Sequence, residues 1–424
     1  MTAAALLAAI RAGDTTCTET TAAALERITT TASHGAWVAA DGEAALTAAR
    51  ELDRTGPAGR PLFGLPIGVK DVIETADLPT AYGSSAYVGN RPRADAACVA
   101  ILRAAGAIVV GKTTSTEFAC LGPTAVANPR APGRTPGGSS SGSAAAVAAG
   151  VVPVALGTQT AGSVVRPAAY CGIVGFKPTF GAVGLAGVLP VSASLDTLGL
   201  LAADVDTAVL VTRVLLGAEG PLPGARSTLP ITIPSDLADG PLPNLGVART
   251  TDWDTIEPAT RDALEAALDR AAARGAHLTT IELPAVFPAL IAAQRLVQLV
   301  ETAHALVRDR DVLSAELGAV VAEGLEVPAR DYWAARACVA AADGPCHAAL
   351  APFDAVLTPA TTGAPPPLPS TGDPWFCRAW TALGVPAASV PAGTTPDGLP
   401  VGLQVVAPRG EDVAVLRAAR WLTG

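Results

Sequence analysis

The sequence predicts an α/β protein with a buried central sheet, and two observations support this class. Short apolar strands alternate with amphipathic helices in the first half of the chain and again near its end. Half of the 424 residues are hydrophobic and 16% are charged, which is typical of a globular chain with a substantial core.

The bounds of the individual helices and strands are predicted from the spacing of apolar residues and from capping residues at helix ends. Asp41 is the expected N-cap of one helix, and Gly106 is the expected end of another. The predicted helices cover 21–28, 42–52, 94–105, 143–149, 257–274 and 411–422, with further helices between 288 and 349. The predicted strands cover 65–69, 107–110, 151–156, 172–176, 244–248, 277–283, 355–357, 387–391 and 401–406.

A Pro-rich connector at 221–243 interrupts this pattern, and no internal repeat is evident. We expect residues 1–424 to form a single domain. Within it, the region of about 220–350 is a candidate helical cap that shapes substrate specificity.

Charge and composition exclude several function classes. The net charge of −9 and the lack of a basic run argue against a nucleic-acid partner. No apolar run approaches the roughly 20 residues of a membrane-spanning helix, and the N-terminus does not resemble a signal peptide. The seven cysteines form no C-x-x-C pair, which argues against a metal site and a disulfide framework. We therefore expect a cytoplasmic protein.

Two glycine- and serine-rich loops lie beside buried elements, at 137–143 (GGSSSGS) and 157–163 (GTQTAGS). Successive small residues allow several backbone N–H groups to face one concavity, which suits a developing oxyanion. An exposed linker would have a similar composition, but both loops are flanked by apolar core segments. Neither loop fits a Walker loop or a dinucleotide fingerprint.

Lys70 ends the apolar strand at 65–69, and burial there would lower its pKa and make a neutral base available. A lysine at a strand end can equally extend its amine to solvent. The four histidines lie in no motif, so the sequence offers no evident histidine base for a serine.

These segments resemble the amidase signature family, in its order and spacing. Ser163 follows Ser139 by 24 residues, as in the family pattern. The matching segments are 68–71 (GVKD), 137–140 (GGSS), 157–167 (GTQTAGSVVRP), 172–179 (GIVGFKPT), 386–393 and 398–404 (GLPVGLQ). The resemblance is strong over about 40–215 and in the last 50 or so residues, and weak between about 220 and 350.

The resemblance implies a mixed, largely parallel central sheet covered by helices on both faces. It also implies a catalytic set in which Ser163 is the nucleophile, Ser139 is a bridging serine held by a cis peptide bond, and Lys70 is the base. This set would form an acyl-enzyme without a metal or an organic cofactor. Such proteins often form dimers, so a homodimer is possible.

The remaining site residues also come from the resemblance. The backbone N–H groups of Thr160, Ala161, Gly162 and Ser163 would form the oxyanion hole. Three further residues, Gly138, Ser140 and Arg166, are expected either to contact the substrate or to order the loop behind the catalytic Lys70, Ser139 and Ser163.

Two of these positions leave questions open. Gln159 replaces an aspartate that many relatives carry, and it resembles a malonamidase-like branch in which the arginine matching Arg166 binds a carboxylate. Arg166 could instead anchor the loop through backbone carbonyls.

The function predicted is hydrolysis of the C–N bond of a small linear amide. One alternative is the amidase subunit of a tRNA-dependent amidotransferase, which the shorter chain and the lack of a basic surface disfavour. Another is an α/β-hydrolase-type esterase with Ser140 as nucleophile and His347 as base, since 138–142 (GSSSG) fits G-x-S-x-G. The substrate stays open, with Trp333, Trp375, Phe376 and Trp380 as candidate pocket walls.

Overall fold

The computed structural model describes residues 2–120, 122–217, 231–234, 237, 243–250 and 252–424. Most of the connector predicted at 221–243 lies outside these residues. The described α-helices are α1 Ala3–Ala12, α2 Cys17–Thr30, α3 Gly42–Thr55, α4 Ala97–Ala104, α5 Ser141–Ala148, α6 Val165–Cys171, α7 Val205–Leu216, α8 Pro258–Ala273, α9 Ala289–Leu306, α10 Ala315–Glu326, α11 Ala329–Leu350, α12 Trp375–Ala382 and α13 Asp412–Thr423.

The described strands belong to one sheet, with the order β1-β3-β2-β4-β6-β5-β10-β11-β9-β7-β8. Their bounds are β1 Trp37–Ala39, β2 Pro66–Lys70, β3 Ile108–Thr113, β4 Val154–Gln159, β5 Val174–Lys177, β6 Thr197–Ala202, β7 Asn244–Ala248, β8 His277–Ile281, β9 Ala355–Pro359, β10 Ala387–Thr394 and β11 Pro400–Val406. No described helix is long and apolar enough to cross a bilayer.

The predicted elements are found, with shifts of a few residues at their ends. Asp41 caps α3 by accepting a hydrogen bond from the Ala44 N–H group (3.0 Å), and Gly106 follows α4 with φ of +95°. The analysis of the sequence missed α1, β1, α6, β6, α7 and α12. Of these, α6 and α12 each last only seven or eight residues, too short for a clear helical period.

The sheet is mixed as expected, but it is less parallel than expected. Within the described residues, four neighbouring pairs are parallel and six are antiparallel. The parallel pairs form two units, β3-β2-β4 and β8-β7-β9. Between them, β10 and β11 are joined by five residues, and a short hairpin forces antiparallel pairing. The expectation of a largely parallel sheet is therefore wrong.

Helices cover both faces of the sheet, as expected. Along β9 the side chains of Ala355 and Leu357 join one apolar cluster, whereas Val356 joins another. Because alternate residues of a strand point to opposite faces, the two clusters lie on opposite faces of the sheet at β9. At β4 the consecutive Val154, Ala155 and Leu156 all join the first cluster, which covers both faces there. α7, α8 and α13 contribute to the first cluster, and α6, α9, α11 and α12 contribute to the second.

The candidate cap region contributes to the sheet as well as to the helical layer. From it come β7 and β8, which form one edge of the sheet, and the helix α8. α9 contacts α10, α11 and α12 and lies over the second core cluster. It thus brings side chains from this part of the chain close to α12.

Candidate active site

The candidate site lies at the carboxyl ends of two neighbouring parallel strands. β2 ends at Lys70 and β4 ends at Gln159, and Val69 pairs with Leu156 between them. Loops leaving the carboxyl ends of parallel strands meet at one edge of a sheet, where α/β proteins commonly bind ligands. The loop at 157–163 leaves β4 at this edge, and the loop at 137–143 meets it there, because Ser139 contacts Lys70.

Lys70 is fully buried at the centre of this arrangement. Its Nζ donates hydrogen bonds to Ser139 Oγ (2.7 Å) and Thr158 Oγ1 (2.8 Å). Burial disfavours the charged ammonium and lowers the pKa of Lys70 from 10.5 to about 7, although the nearby Asp196 acts in the opposite direction. Near neutral pH about half of the molecules then carry a neutral amine.

Ser139 is also buried, and its peptide bond with Gly138 is cis, as the resemblance implies. The next residue, Ser140, faces the backbone of Thr158. Its Oγ donates to the Thr158 carbonyl oxygen (3.3 Å) and accepts from the Thr158 N–H group (3.4 Å). Ser140 thus fixes the residue that carries the second hydroxyl bonded to Lys70.

Gln159 shapes the loop that ends at Ser163. Its Oε1 accepts from the N–H groups of Val164 (2.9 Å) and Val165 (3.1 Å), at the start of α6. Its Nε2 donates to Thr381 Oγ1 (3.1 Å), which in turn donates to the Ala161 carbonyl oxygen (2.6 Å). The side-chain amide therefore joins the start of this loop to its end and to α12.

The backbone of this loop leaves donors available. The Thr160 carbonyl oxygen accepts from Gln294 Nε2 of α9 (3.0 Å), and Thr381 holds the next carbonyl. Within the described residues, the N–H groups of Ala161, Gly162 and Ser163 have no acceptor. Donors directed by such a loop are the arrangement that stabilises an oxyanion.

Ser163 lies two residues before α6 and is 8% exposed. Its hydroxyl forms no hydrogen bond with the described residues. Of the expected proton relay Lys70–Ser139–Ser163, the structure therefore contains the hydrogen bond between Lys70 and Ser139. A Cβ added at the neighbouring Gly162 would lie 2.9 Å from Pro374 and 3.1 Å from Cys377. Only glycine leaves the loop this close to α12.

Arg166 is buried and binds backbone carbonyls. Its Nη1 donates to the Gly372 oxygen (2.7 Å), and its Nη2 donates to the Gly138 oxygen (2.5 Å), beside the cis bond. Nε has no partner among the described residues. This geometry matches the loop-anchoring interpretation, and binding of a substrate carboxylate by Arg166 stays a prediction.

Asp196 is a site residue that reasoning from the sequence missed. Thr160 Oγ1 donates to its Oδ1 (2.5 Å), and the N–H groups of Val191 (2.7 Å) and Ser192 (2.8 Å) donate to its Oδ2. Burial raises its pKa, although these hydrogen bonds and Lys70 oppose the rise. The only available signal was a single acidic residue directly before the apolar strand β6.

Ser140 and His347, the pair that the esterase alternative requires, do not contact each other. Ser140 is fully buried against Thr158. His347 lies on α11, where its Nε2 accepts from the Arg409 N–H group (3.0 Å) and its Nδ1 lies 2.8 Å from the Asp343 carbonyl oxygen. The described residues contain no group of three or more His, Cys, Asp or Glu side chains arranged to hold a metal ion.

Two cavities lie near the site and share Trp375. The first, of about 590 Å³, lies between α9, α10 and α12 and is also lined by Cys120, Gln298 and Arg378. The second, of about 340 Å³, includes Phe376 and Trp380 in its wall. That they line the acyl pocket stays a prediction. Trp333 is 64% exposed and lines neither. Ser163 is not a lining residue of either cavity, but Gln298 connects the first to the loop through Gln294.

Comparisons with known proteins agree with this geometry. The Amidase family model matches residues 19–416. A curated relative, a glutamyl-tRNA(Gln) amidotransferase subunit of Rhodopirellula baltica, is 34% identical over 436 residues, covering 89% of this chain and 86% of its own. The crystal structure of an amidase is 31% identical with a TM-score of 0.89, covering 100% of this chain and 99% of its own. A peptide amidase bound to the inhibitor chymostatin is 31% identical with a TM-score of 0.86, covering 100% and 96%.

Proposed function

The chain belongs to the amidase family and is an amidohydrolase, and on that premise we propose that it hydrolyses a small linear amide through an acyl-enzyme on Ser163. The contact of a buried, low-pKa Lys70 with Ser139 Oγ at 2.7 Å carries this proposal. Without such a base, a serine hydroxyl is a weak nucleophile at neutral pH.

In the proposed mechanism, the neutral amine of Lys70 accepts the Ser139 proton as Ser139 accepts the proton of Ser163. The Ser163 oxygen attacks the amide carbon, and the carbonyl oxygen becomes an oxyanion. The relay then runs in reverse, and the proton passes to the leaving nitrogen as the C–N bond breaks. Water repeats the cycle on the acyl-enzyme and releases a carboxylic acid.

The N–H groups of Ala161, Gly162 and Ser163 are the proposed donors to this oxyanion, with Thr160 at the start of the same loop. Removal of one such donor typically costs about 2.7–4 kcal/mol of transition-state stabilisation. The contacts of Gln159, Thr381 and Gln294 with this loop support the proposal, because they fix its carbonyls and hence the directions of its N–H groups. The mechanism requires no metal and no organic cofactor.

A second candidate is the amidase subunit of a tRNA-dependent amidotransferase. The curated relatives favour it: a second such glutamyl-tRNA(Gln) amidotransferase subunit, from Salinispora arenicola, is 33% identical and covers 99% of this chain. Ser163 would then release ammonia from an amide for use by a partner. The net charge of −9 and the lack of a basic run in the sequence disfavour tRNA contacts by this chain, so on this proposal they would belong mainly to that partner.

The narrower expectations concern branch, assembly and location. The contacts of Gln159 with the start of α6 are compatible with a malonamidase-like branch, in which a glutamine at this position is expected. A homodimer and a cytoplasmic location stay predictions.

Ammonia release from a panel of neutral and charged primary amides, including glutamine, tests these proposals. We expect release that Ser163→Ala abolishes and that the exposed control Ser33→Ala leaves unchanged. Release that persists in Ser163→Ala would contradict the assigned nucleophile. Release from glutamine alone among the panel would favour the second candidate, whereas the absence of any release from glutamine would exclude it.

A further inference from the structure

Arg378 carries a positive charge without a salt bridge to any described residue, beside the catalytic loop at 157–163. Arg378 of α12 lines the 590 Å³ cavity, and its Nη1 donates to the side-chain oxygens of Gln294 and Gln298. No carboxylate of the described residues lies within the 4.0 Å of a salt bridge to it. Its guanidinium therefore has neutral partners only.

Two further arginines increase this charge. Arg295 lines the same cavity, and Arg166 lies behind the loop. Glu323 of α10 also lines the cavity, but within the described residues it forms no salt bridge with Arg295 or Arg378. Burial first, and then Arg295, lower the pKa of Arg378 to about 10, and Arg166 acts in the same direction. Asp373 opposes them without forming a salt bridge. Arg378 is still fully charged at neutral pH, and a partly buried cation without a counter-ion is costly unless a ligand pairs with it.

The cavity is connected to the site by a short path. Gln294 Nε2 donates to the Thr160 carbonyl oxygen (3.0 Å), and Gln294 Oε1 accepts from Arg378. This path of two hydrogen bonds and one carboxamide spans about 8 Å and ends at Thr160, three residues before Ser163. The loop also packs directly on α12, since a Cβ at Gly162, next to Ser163, would lie 3.1 Å from Cys377, next to Arg378.

We propose that Arg378, assisted by Arg295, binds an anionic group at the far end of the acyl chain, so that the preferred substrates are short amides that bear a carboxylate. This inference rests on the proposed function and narrows its substrate class. Guanidinium groups pair with carboxylates through two parallel hydrogen bonds, which gives orientation as well as affinity. Both terminal nitrogens of Arg166 already donate to backbone carbonyls, whereas Nε and Nη2 of Arg378 form no hydrogen bond with the described residues.

Arg378 also supports the catalytic loop through its contact with Gln294, which holds the Thr160 carbonyl. The test must therefore separate recognition of a substrate charge from this structural role. Succinamate and 4-methylpentanamide have the same shape, but only the first is charged. We measure kcat/KM for both amides in the wild type, Arg378→Gln, Arg378→Lys and the exposed control Arg330→Gln. Arg378→Gln should lower kcat/KM about 30-fold for succinamate, mainly through KM, and change that for 4-methylpentanamide less than about threefold.

Arg378→Lys should restore part of the preference for succinamate, because lysine keeps the positive charge but cannot form two parallel hydrogen bonds to a carboxylate. Arg330→Gln should behave as the wild type. Equal losses on both amides in Arg378→Gln, or no preference for succinamate in the wild type, would overturn the proposal.

Calorimetric titration with succinate separates this inference from the proposed function. We expect Ser163→Ala to bind succinate as the wild type does, and Arg378→Gln to bind it at least about tenfold more weakly. If Ser163→Ala still hydrolyses amides, the proposed nucleophile is wrong, and succinate binding still decides the anion subsite. If succinate does not bind to the wild type, the subsite is refuted even when amide hydrolysis depends on Ser163.

Discussion

The pH dependence of amide hydrolysis tests the role of Lys70 most directly. Burial lowers its pKa from 10.5 to about 7, which corresponds to a preference of roughly 5 kcal/mol for the neutral amine. At pH 5 about 1 molecule in 100 would carry that amine, against about half at pH 7. We expect kcat/KM to rise about 50-fold between these values and to level off by pH 9. With an ordinary lysine pKa, the neutral fraction at pH 7 would be only about 1 in 3,000.

The assay is ammonia release from a neutral amide, whose own charge is constant over this range. Lys70→Met should lose at least about a thousandfold in kcat/KM at every pH, because no base is then left for the relay. A flat profile between pH 5 and 7, or activity that still rises tenfold per pH unit above pH 9, would refute the assignment of Lys70 as the neutral base.

The same shift predicts a pH dependence of stability with a defined sign. The unfolded state, with a pKa near 10.5, binds more protons than the folded state, so Lys70 destabilises the fold below that pH and most strongly below about pH 7. The Tm of Lys70→Met relative to the wild type should therefore be higher at pH 6 than at pH 10. The hydroxyls that lose their partner do not titrate in this range, so their cost cancels in the comparison.

Four further substitutions test the surroundings of the relay and the packing of the fold. Asp196→Asn removes a negative charge that raises the pKa of Lys70, so the acid limb of the pH profile should move to lower pH; an upward shift would contradict this. Thr381→Val removes a support of the oxyanion loop and should lower kcat about tenfold with little change in KM, whereas a change confined to KM would argue against that role. Gly142→Ala places a Cβ 2.3 Å from backbone atoms and should destabilise the fold by about 3 kcal/mol, whereas Gly318→Ala, in open space on α10, should stabilise it by up to about 1 kcal/mol; denaturant unfolding measures both.

Local chemistry in the sequence was sufficient for the strands and loops that carry the site. Lys70 stands at the end of an apolar strand, and each glycine- and serine-rich loop lies beside a buried element. Such patterns depend on residues close together in the chain, so periodicity and turn chemistry reveal them. The order and spacing of the motifs also identified the family.

Contacts between distant parts of the chain could be found only in the tertiary structure. Asp196 reaches the loop at 157–163 from the position before β6, and Gln294 and Thr381 reach it from α9 and α12. None of the three stands in a motif that marks it. The antiparallel centre of the sheet was likewise invisible, because strand order depends on which faces pack together and not on any single segment.

Arg166 and Arg378 show the division most clearly. From the sequence, Arg166 was the candidate for binding a carboxylate, because it stands three residues after Ser163. Folding brings the carbonyls of Gly138 and Gly372 to its guanidinium, and it leaves Arg378, more than 200 residues away, facing a cavity without a salt bridge to any described residue. The sequence determined which charged groups exist. The packing of α6, α9 and α12 decided which of them is neutralised by the protein and which is left to a ligand, because desolvation and partners are set by three-dimensional neighbours.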